Sequence, residues 1–278
     1  MCYTIVIMII AIDVGATKTL LAVADQDGKV LNKIKFSSTK DYQEYIQILS
    51  DNIKKLSTNR VSIISIGSAG SIDRKNGIIK NSPNLHWINK PIVHDISKMF
   101  SGIKVIIEND ANLAGLSEAH ALSNINQRVM YVTFSTGIGT GFVVNGLLEP
   151  YLLDAEGGHM VFVYKGKMMD WEEFAAGKAI VHKYGKTASE LENKSAWNEI
   201  AKNMAMGIVD NCAVFMPDIV IIGGGVGTYF YKYADQLNRE LSKLITKSVM
   251  IKQPKIIGAQ NAEEAVVLGC IINAKQNE

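Results

Sequence analysis

One pattern in this chain occurs twice, and it limits the fold more than any other feature. An apolar strand, a turn rich in Gly and Thr, a second strand and a tight turn begin at Met8 and again at Val129. In the first copy the apolar run Met8–Ile12 leads into Asp13-Val14-Gly15-Ala16-Thr17-Lys18-Thr19, then Leu20–Ala24, then the turn Asp25-Gln26-Asp27-Gly28. Lys29–Phe36 returns as a third strand. In the second copy Val129–Phe134 leads into Ser135-Thr136-Gly137-Ile138-Gly139-Thr140-Gly141, then Phe142–Val144, then the hairpin dipeptide Asn145-Gly146. Two such copies predict a duplicated α/β domain.

The segments between the copies fit that class. Tyr42, Tyr45, Ile46, Leu49, Ile53 and Leu56 fall on one helical face, with Asp41 and Glu44 placed as a capping pair. Val61–Gly67 and Lys104–Ile107 read as short buried strands. Helical patterns cover roughly 172–184 and 196–216, and Pro217-Asp218 then breaks the chain before the strand Ile219–Ile222. Amphipathic segments near 229–246 and 262–275 complete the chain.

Bulk properties exclude several classes. The 278 residues carry 29 basic and 27 acidic side chains, a net charge of +2. Such a balance offers no electrostatic footprint for nucleic acid or an anionic membrane. Cys2, Cys212 and Cys270 lie far apart, without zinc spacing or a disulfide framework, so a reducing cytoplasm is expected. The apolar run Ile5–Ile12 is too short to span a bilayer, lacks a preceding basic region and ends at Asp13. It reads as a buried strand. Met8 is an alternative start, which would make residues 1–7 a dispensable extension.

Phosphate binding needs backbone N–H groups brought close, which glycine permits and Thr or Ser hydroxyls assist. Both Gly/Thr turns have that composition, although each alone would pass as an ordinary hairpin. Neither is a P-loop, because G-x-x-x-x-G-K-[ST] is absent. Asp13 ends a buried strand, where a carboxylate is costly unless it is paired or lies near a cation. It could cap its own turn, or face a nucleotide-borne Mg²⁺ through water. Gly223-Gly224-Gly225 follows a strand and would let a base or ribose lie against the main chain. A dinucleotide site is discounted because Thr228 stands at the sixth position of G-x-G-x-x-G.

Glu108-Asn109-Asp110-Ala111-Asn112 stands where a strand ends and a helix of small residues begins. Asn109 or Asp110 could cap that helix. Alternatively, a carboxylate there could take a proton from a substrate hydroxyl as its oxygen attacks phosphorus. Glu156-Gly157-Gly158-His159 suits a site that grips several hydroxyls. A metal site at this point fails, because residues 160–181 hold no Cys or second His.

In this order the segments resemble the ROK family (repressors, open reading frames, sugar kinases) of the actin/hexokinase/Hsp70 ATPase superfamily. The resemblance implies a duplicated actin-like ATPase fold, ribonuclease H-like in each half, with two lobes around a cleft. The lobes would be 1–108, with a terminal helix at 262–278 packing back on it, and 109–261. It also implies ATP and Mg²⁺, a small-molecule sugar, and a homodimer. Asp13–Thr19 resembles the first phosphate motif, which gives nucleotide roles to Asp13, Gly15, Thr17 and Lys18. Gly70 and Asp73 resemble the sugar-proximal loop, and Ser82-Pro83-Asn84-Leu85-His86-Trp87 the segment whose Asn touches the sugar. Glu108–Asn112 is the most diagnostic match, making Asp110 the catalytic base and Asn109 a sugar contact. Thr136–Gly141 resembles the second phosphate motif and implicates Thr136, Gly137, Gly139 and Thr140. Glu156 and His159 resemble the sugar-gripping pair, Glu172 a further sugar ligand, and Ile222–Val226 the adenosine motif carrying Gly223, Gly224 and Gly225.

There are two departures. The family's His is typically followed by a zinc-binding C-x-C-G-x-x-G-C cluster, whereas Met160–Asp170 has no cysteine. No structural zinc is therefore expected. His159 needs another orienting hydrogen bond, and apolar packing of Val161, Phe162 and Val163 is expected to hold the loop. The family's repressors also carry an N-terminal DNA-binding domain, which is not expected in a chain that starts at the first strand. The resemblance favours glucose phosphorylated at O6. N-acetylmannosamine or N-acetylglucosamine, or fructose or allose, remain as acceptors. From other classes, a non-catalytic sugar- or nucleotide-binding regulator and a dinucleotide-dependent oxidoreductase are the competing readings.

Overall fold

The computed structural model describes residues 8–56, 60–245 and 252–278. The chain forms two compact units, Met1–Ser117 with Glu263–Glu278, and Glu118–Ala262. Residues 5–7 of the expected first strand and the suggested extension 1–7 lie outside the described residues.

In the first unit the strands are β1 (Met8–Val14), β2 (Lys18–Asp25), β3 (Val30–Ser37), β4 (Val61–Ser68), β5 (Ser71–Asp73), β6 (Ile78–Ser82), β7 (Trp87–Lys90) and β8 (Lys104–Asn109). The main sheet runs β3-β2-β1-β4-β8, with β1, β4 and β8 parallel and β2 antiparallel to both of its neighbours, β1 and β3. β5, β6 and β7 form a separate three-stranded sheet.

Helix α1 (Tyr42–Leu56) buries Tyr42, Tyr45, Ile46, Leu49 and Ile53, the face its sequence period marks. The Asp41 carboxylate caps it, accepting from the Gln43 and Glu44 amides. Glu44 departs from the expected capping pair and bonds the Thr39 hydroxyl instead. Helix α2 (Ile92–Met99) precedes β8, and helix α3 (Asp110–His120) begins where β8 ends. The C-terminal helix Ala265–Gln276 packs Val267, Cys270, Ile271 and Ala274 against Ile9, Ala11, Ala22 and Leu113. That packing explains why the division falls at Ser117/Glu118 rather than at the expected 108/109: Leu113 of α3 belongs to the first unit's core.

The second unit repeats the plan. Its strands are β9 (Arg128–Phe134), β10 (Ile138–Val144), β11 (Leu147–Leu148), β12 (Val161–Tyr164), β13 (Lys167–Asp170), β14 (Ile219–Gly223) and β15 (Lys255–Gly258). The sheet order is β11-β10-β9-β14-β15, with the same strand senses as the first. Its helices are α4 (Trp171–Ala175), α5 (Gly177–Tyr184), α6 (Lys194–Phe215), α7 (Gly224–Gly227) and α8 (Ala234–Ile245). The helical pattern at 172–184 is thus two helices. The break is at Ala176, and Gly177 opens the second helix, its amide donating to the Ser135 carbonyl 2.7 Å away and its missing Cβ admitting that oxygen. The unit's core gathers Phe134, Trp171, Trp197, Met204, Ile222 and Leu237.

Candidate active site

Register aligns the first unit's site residues. Asp13 on β1 pairs with Gly67 on β4, and Gly67 pairs with Glu108 on β8, so three parallel strands end level. Loops beyond such carboxyl ends are the usual place for a ligand site in an α/β sheet. Asp13 is part-buried, and its pKa is raised to about 7, first by loss of solvation and then by the nearby Asp110 carboxylate, with Lys35 opposing. Two neighbouring carboxylates at a strand end call for positive charge, which suits a nucleotide-borne Mg²⁺.

Asn109, not Asp110, caps α3. Its side-chain oxygen accepts from the Ala111 amide at 2.8 Å and the Asn112 amide at 3.3 Å. Asp110 is the first helical residue, part-buried, with its own Ala111 amide 2.9 Å from Oδ1. The Asn109 side-chain amide donates to the Gly70 carbonyl at 3.3 Å. Gly70 has φ of +91°, and a Cβ there would strike the Asn81 carbonyl, so glycine is required. Asp73 serves its turn: its carboxylate accepts from the Asn76 backbone and side chain, which lowers its pKa. Asn84 is exposed in the turn between β6 and β7. Thr17 and Lys18 are exposed at the first Gly/Thr turn, and the Gly15 carbonyl accepts from the Ser38 hydroxyl at 2.8 Å.

In the second unit, Thr136 is exposed at the turn while Gly137 and Gly139 are half-covered. Thr140 departs from the expected phosphate role. It is buried, and its hydroxyl donates to the Ala155 carbonyl at 3.3 Å and accepts from the Gly157 amide at 3.2 Å. Those two bonds use its hydroxyl to anchor the Glu156–His159 segment. Gly224 has φ of +80°, and an added Cβ would lie 2.5 Å from Thr133 Oγ1 and 2.6 Å from the Phe134 carbonyl. Gly223 is packed against Tyr131, whereas Gly225 faces open space. Only the last of the three leaves main chain bare for a ligand.

Glu156, His159 and Glu172 form one cluster. Burial raises the Glu156 pKa first, with His159 opposing and Asp154 and Glu172 adding to the rise. Glu172 Oε2 accepts from the Ile138 amide at 3.2 Å, which ties this cluster to the second turn. His159 Nδ1 lies 3.1 Å from Asp170 Oδ2, and that contact is the largest cause of its raised pKa. Asp170 therefore supplies the orienting bond expected of something other than zinc. With Nδ1–H held by the carboxylate, neutral His159 presents Nε2 as an acceptor. Among the described residues no group of three His, Cys, Asp or Glu side chains could hold a metal ion.

The loop is a hairpin, β12–β13, and its packing corrects the expectation. Phe162 and Tyr164 pack on Phe174, while Val161 and Val163 are 56% and 70% exposed. Alternate side chains of a strand face opposite ways, so the three consecutive residues could not all pack inward.

Sequence reasoning missed Asp170 as an orienting group, Gly177 as the dock for the second turn and Arg74 as the partner of Glu108. Asp170-Trp171-Glu172-Glu173 does carry a readable signal. It is an N-cap followed by Glu at the third position, and the Asp170 amide donates to Glu173 at 2.7 Å.

The ROK family model matches residues 9–277. The chain belongs to the ROK family. A glucokinase of Streptomyces coelicolor is 23% identical over 96% of this chain and 97% of its own length. A fructokinase of Streptococcus mutans is 29% identical over 78% of this chain and 79% of its own. An N-acetyl-D-glucosamine kinase of Haemophilus influenzae is 26% identical over 94% and 97%. Among solved structures, the ROK hexokinase of Thermus thermophilus superposes with a TM-score of 0.83 at 24% identity, covering 97% of this chain and 98% of that one. The ROK glucokinase of Streptomyces griseus, in complex with glucose and AMPPNP, gives 0.81 at 22% identity over 97% and 99%. The mixed α/β fold is thus the actin-like ATPase fold of ROK kinases. These curated relatives are sugar kinases with different acceptors.

Proposed function

We propose that this ROK protein transfers the γ-phosphoryl group of MgATP to a hexose hydroxyl, with glucose O6 as the first candidate. MgATP would supply the electrophilic phosphorus. Asp13 would orient the metal through water, and Thr17, Lys18 and Thr136 would donate to phosphate oxygens. Gly225 would leave main chain open to the adenosine. Asp110 would accept the hydroxyl proton as the sugar oxygen attacks. Asn84, Asn109, Glu156, His159 and Glu172 would fix the sugar ring.

The observation that carries this reading is the Asp13–Asp110 pair at level strand ends. One carboxylate is held near pKa 7 and the other stands beside a cap made by its neighbour. A cation on Asp13 would leave Asp110 ionised and able to receive a proton. His159, oriented by Asp170, joins neighbouring Glu156 and Glu172 in a hydroxyl-gripping cluster that a bare nucleotide switch does not need.

Acceptor identity turns on pocket shape at C2. Glucose, fructose, N-acetylglucosamine and N-acetylmannosamine should each be incubated with MgATP and followed by ³¹P NMR. A new phosphomonoester resonance with glucose supports the reading. Its appearance with an N-acetylhexosamine alone would move the substrate within the family, and none with any sugar would refute the kinase assignment.

A further inference from the structure

Glu108 precedes the candidate catalytic turn and is the most enclosed carboxylate near it, 5% exposed. Its Oε1 accepts from Arg74 at 2.6 Å, from the Asn109 amide at 2.7 Å and from the Asn112 side chain at 2.8 Å. Its Oε2 accepts from Arg74 Nε at 2.6 Å. The guanidinium thus engages both oxygens in a fork, the strongest and most directional form of this pair. Three of the four bonds converge on the oxygen that also holds the backbone at Asn109.

Arg74 comes from a different part of the first unit. It follows β5, in a turn closed by Asp73 and Asn76. The same stretch carries Gly70, whose carbonyl holds the Asn109 side chain. The loop at 70–76 therefore grips the catalytic turn twice, once at the side chain of Asn109 and once, through Glu108, at its backbone.

We infer that Arg74 is a positioning residue for phosphoryl transfer: through Glu108 it sets where Asn109 and Asp110 stand, and it ties that turn to the loop carrying Gly70. The inference rests on the kinase reading above. A buried carboxylate that loses its partner must find another or take up a proton. Either change releases the Asn109 amide and lets the first residue of α3 drift. A displacement of about 1 Å at a reacting group can cost on the order of a hundredfold in rate. Lysine cannot replace the fork, because its ammonium is a single point of charge.

Arg74→Lys and Glu108→Gln should be compared with wild type by steady-state kinetics, thermal unfolding and crystallography. The expected result for Arg74→Lys is a folded protein whose kcat falls on the order of a hundredfold. The sugar KM should rise, the MgATP KM should stay within about twofold, and the Asp110 carboxylate should be displaced. Glu108→Gln, which keeps the shape and loses the charge, should show the same direction with a smaller fall. Arg74→Ala is less informative, since it risks misfolding. A merely structural ion pair would lower the melting temperature and leave kcat of the folded enzyme at the wild-type value, and that result overturns the inference. If wild type phosphorylates no hexose, the kinase reading fails separately. The position of Asp110 in Arg74→Lys then decides alone, and an unmoved carboxylate overturns the inference.

Discussion

The two units place different chemistry on one scaffold. Asp13 in β1 pairs with Leu20 and Gly67, and Thr133 in β9 holds the matching position, paired with Gly139 and Gly223. In the first unit the third parallel strand continues the row with Glu108 and leads into Asn109 and Asp110. In the second, β14 ends in Gly223 and passes into Gly224 and Gly225, while β15 ends at Gly258. One set of strand ends concentrates carboxylates. The other strips side chains away and exposes main chain. The duplication fixes where a ligand group is met, and the residues at the row's end decide whether it meets charge or backbone.

The largest effect should come from exchanging charge in the first row. Asp13→Asn should lower kcat by about a hundredfold or more if the carboxylate orients the metal. The same change should stabilise the protein without nucleotide. Folded Asp13 keeps its proton up to about pH 7, against 3.8 for its ordinary value, so between those limits the folded state binds more protons than the unfolded one. Stability from this group therefore falls as pH rises through that window. Asn removes the penalty, and thermal unfolding near pH 8 should show a melting temperature several degrees higher. An unchanged or lower value would mean that the pair is not strained.

Next in size is a contrast inside the glycine triplet. Gly224→Ala should cost about 2 kcal/mol or more, because Ala at φ of +80° is strained and its Cβ meets β9. Gly225→Ala should fold normally and raise the MgATP KM. Urea titration and kinetics would separate the two, and equal destabilisation would erase the distinction between scaffold and binding glycine.

A subtler shift is expected at His159. The Asp170 carboxylate raises its pKa, so a protonated ring that cannot accept a hydroxyl persists to higher pH. Asp170→Asn should move the acid limb of kcat/KM for sugar to lower pH. An unmoved profile would remove His159 as an acceptor. The smallest effect belongs to the hairpin's outer face: Val163→Ser should change stability by no more than about 0.5 kcal/mol, because Val163 is 70% exposed.

Much of this was legible from sequence because strong local signals governed it. The α1 face, the Asn145-Gly146 turn with φ of 51° and 75°, and both strand–turn–strand copies follow from periodicity and turn chemistry alone. The sheet of β5, β6 and β7 was not foreseen, because strands of three to five residues carry too little period to register. The anchoring bonds of Thr140 to Ala155 and Gly157 were not legible, because composition marks a turn but not the distant backbone a side chain meets. Arg74–Glu108 and His159–Asp170 join residues 34 and 11 positions apart through tertiary contacts, so spacing could not pair them. Glu108 stood inside the most diagnostic motif and received no role, since a motif gives identity without showing what holds it in place.

The most direct test is Asp110→Asn, assayed for phosphate transfer to the accepted sugar alongside calorimetric sugar binding. The account predicts a loss of about 10²- to 10⁴-fold in kcat with the sugar dissociation constant little changed. Turnover near the wild-type rate in the folded variant would contradict it.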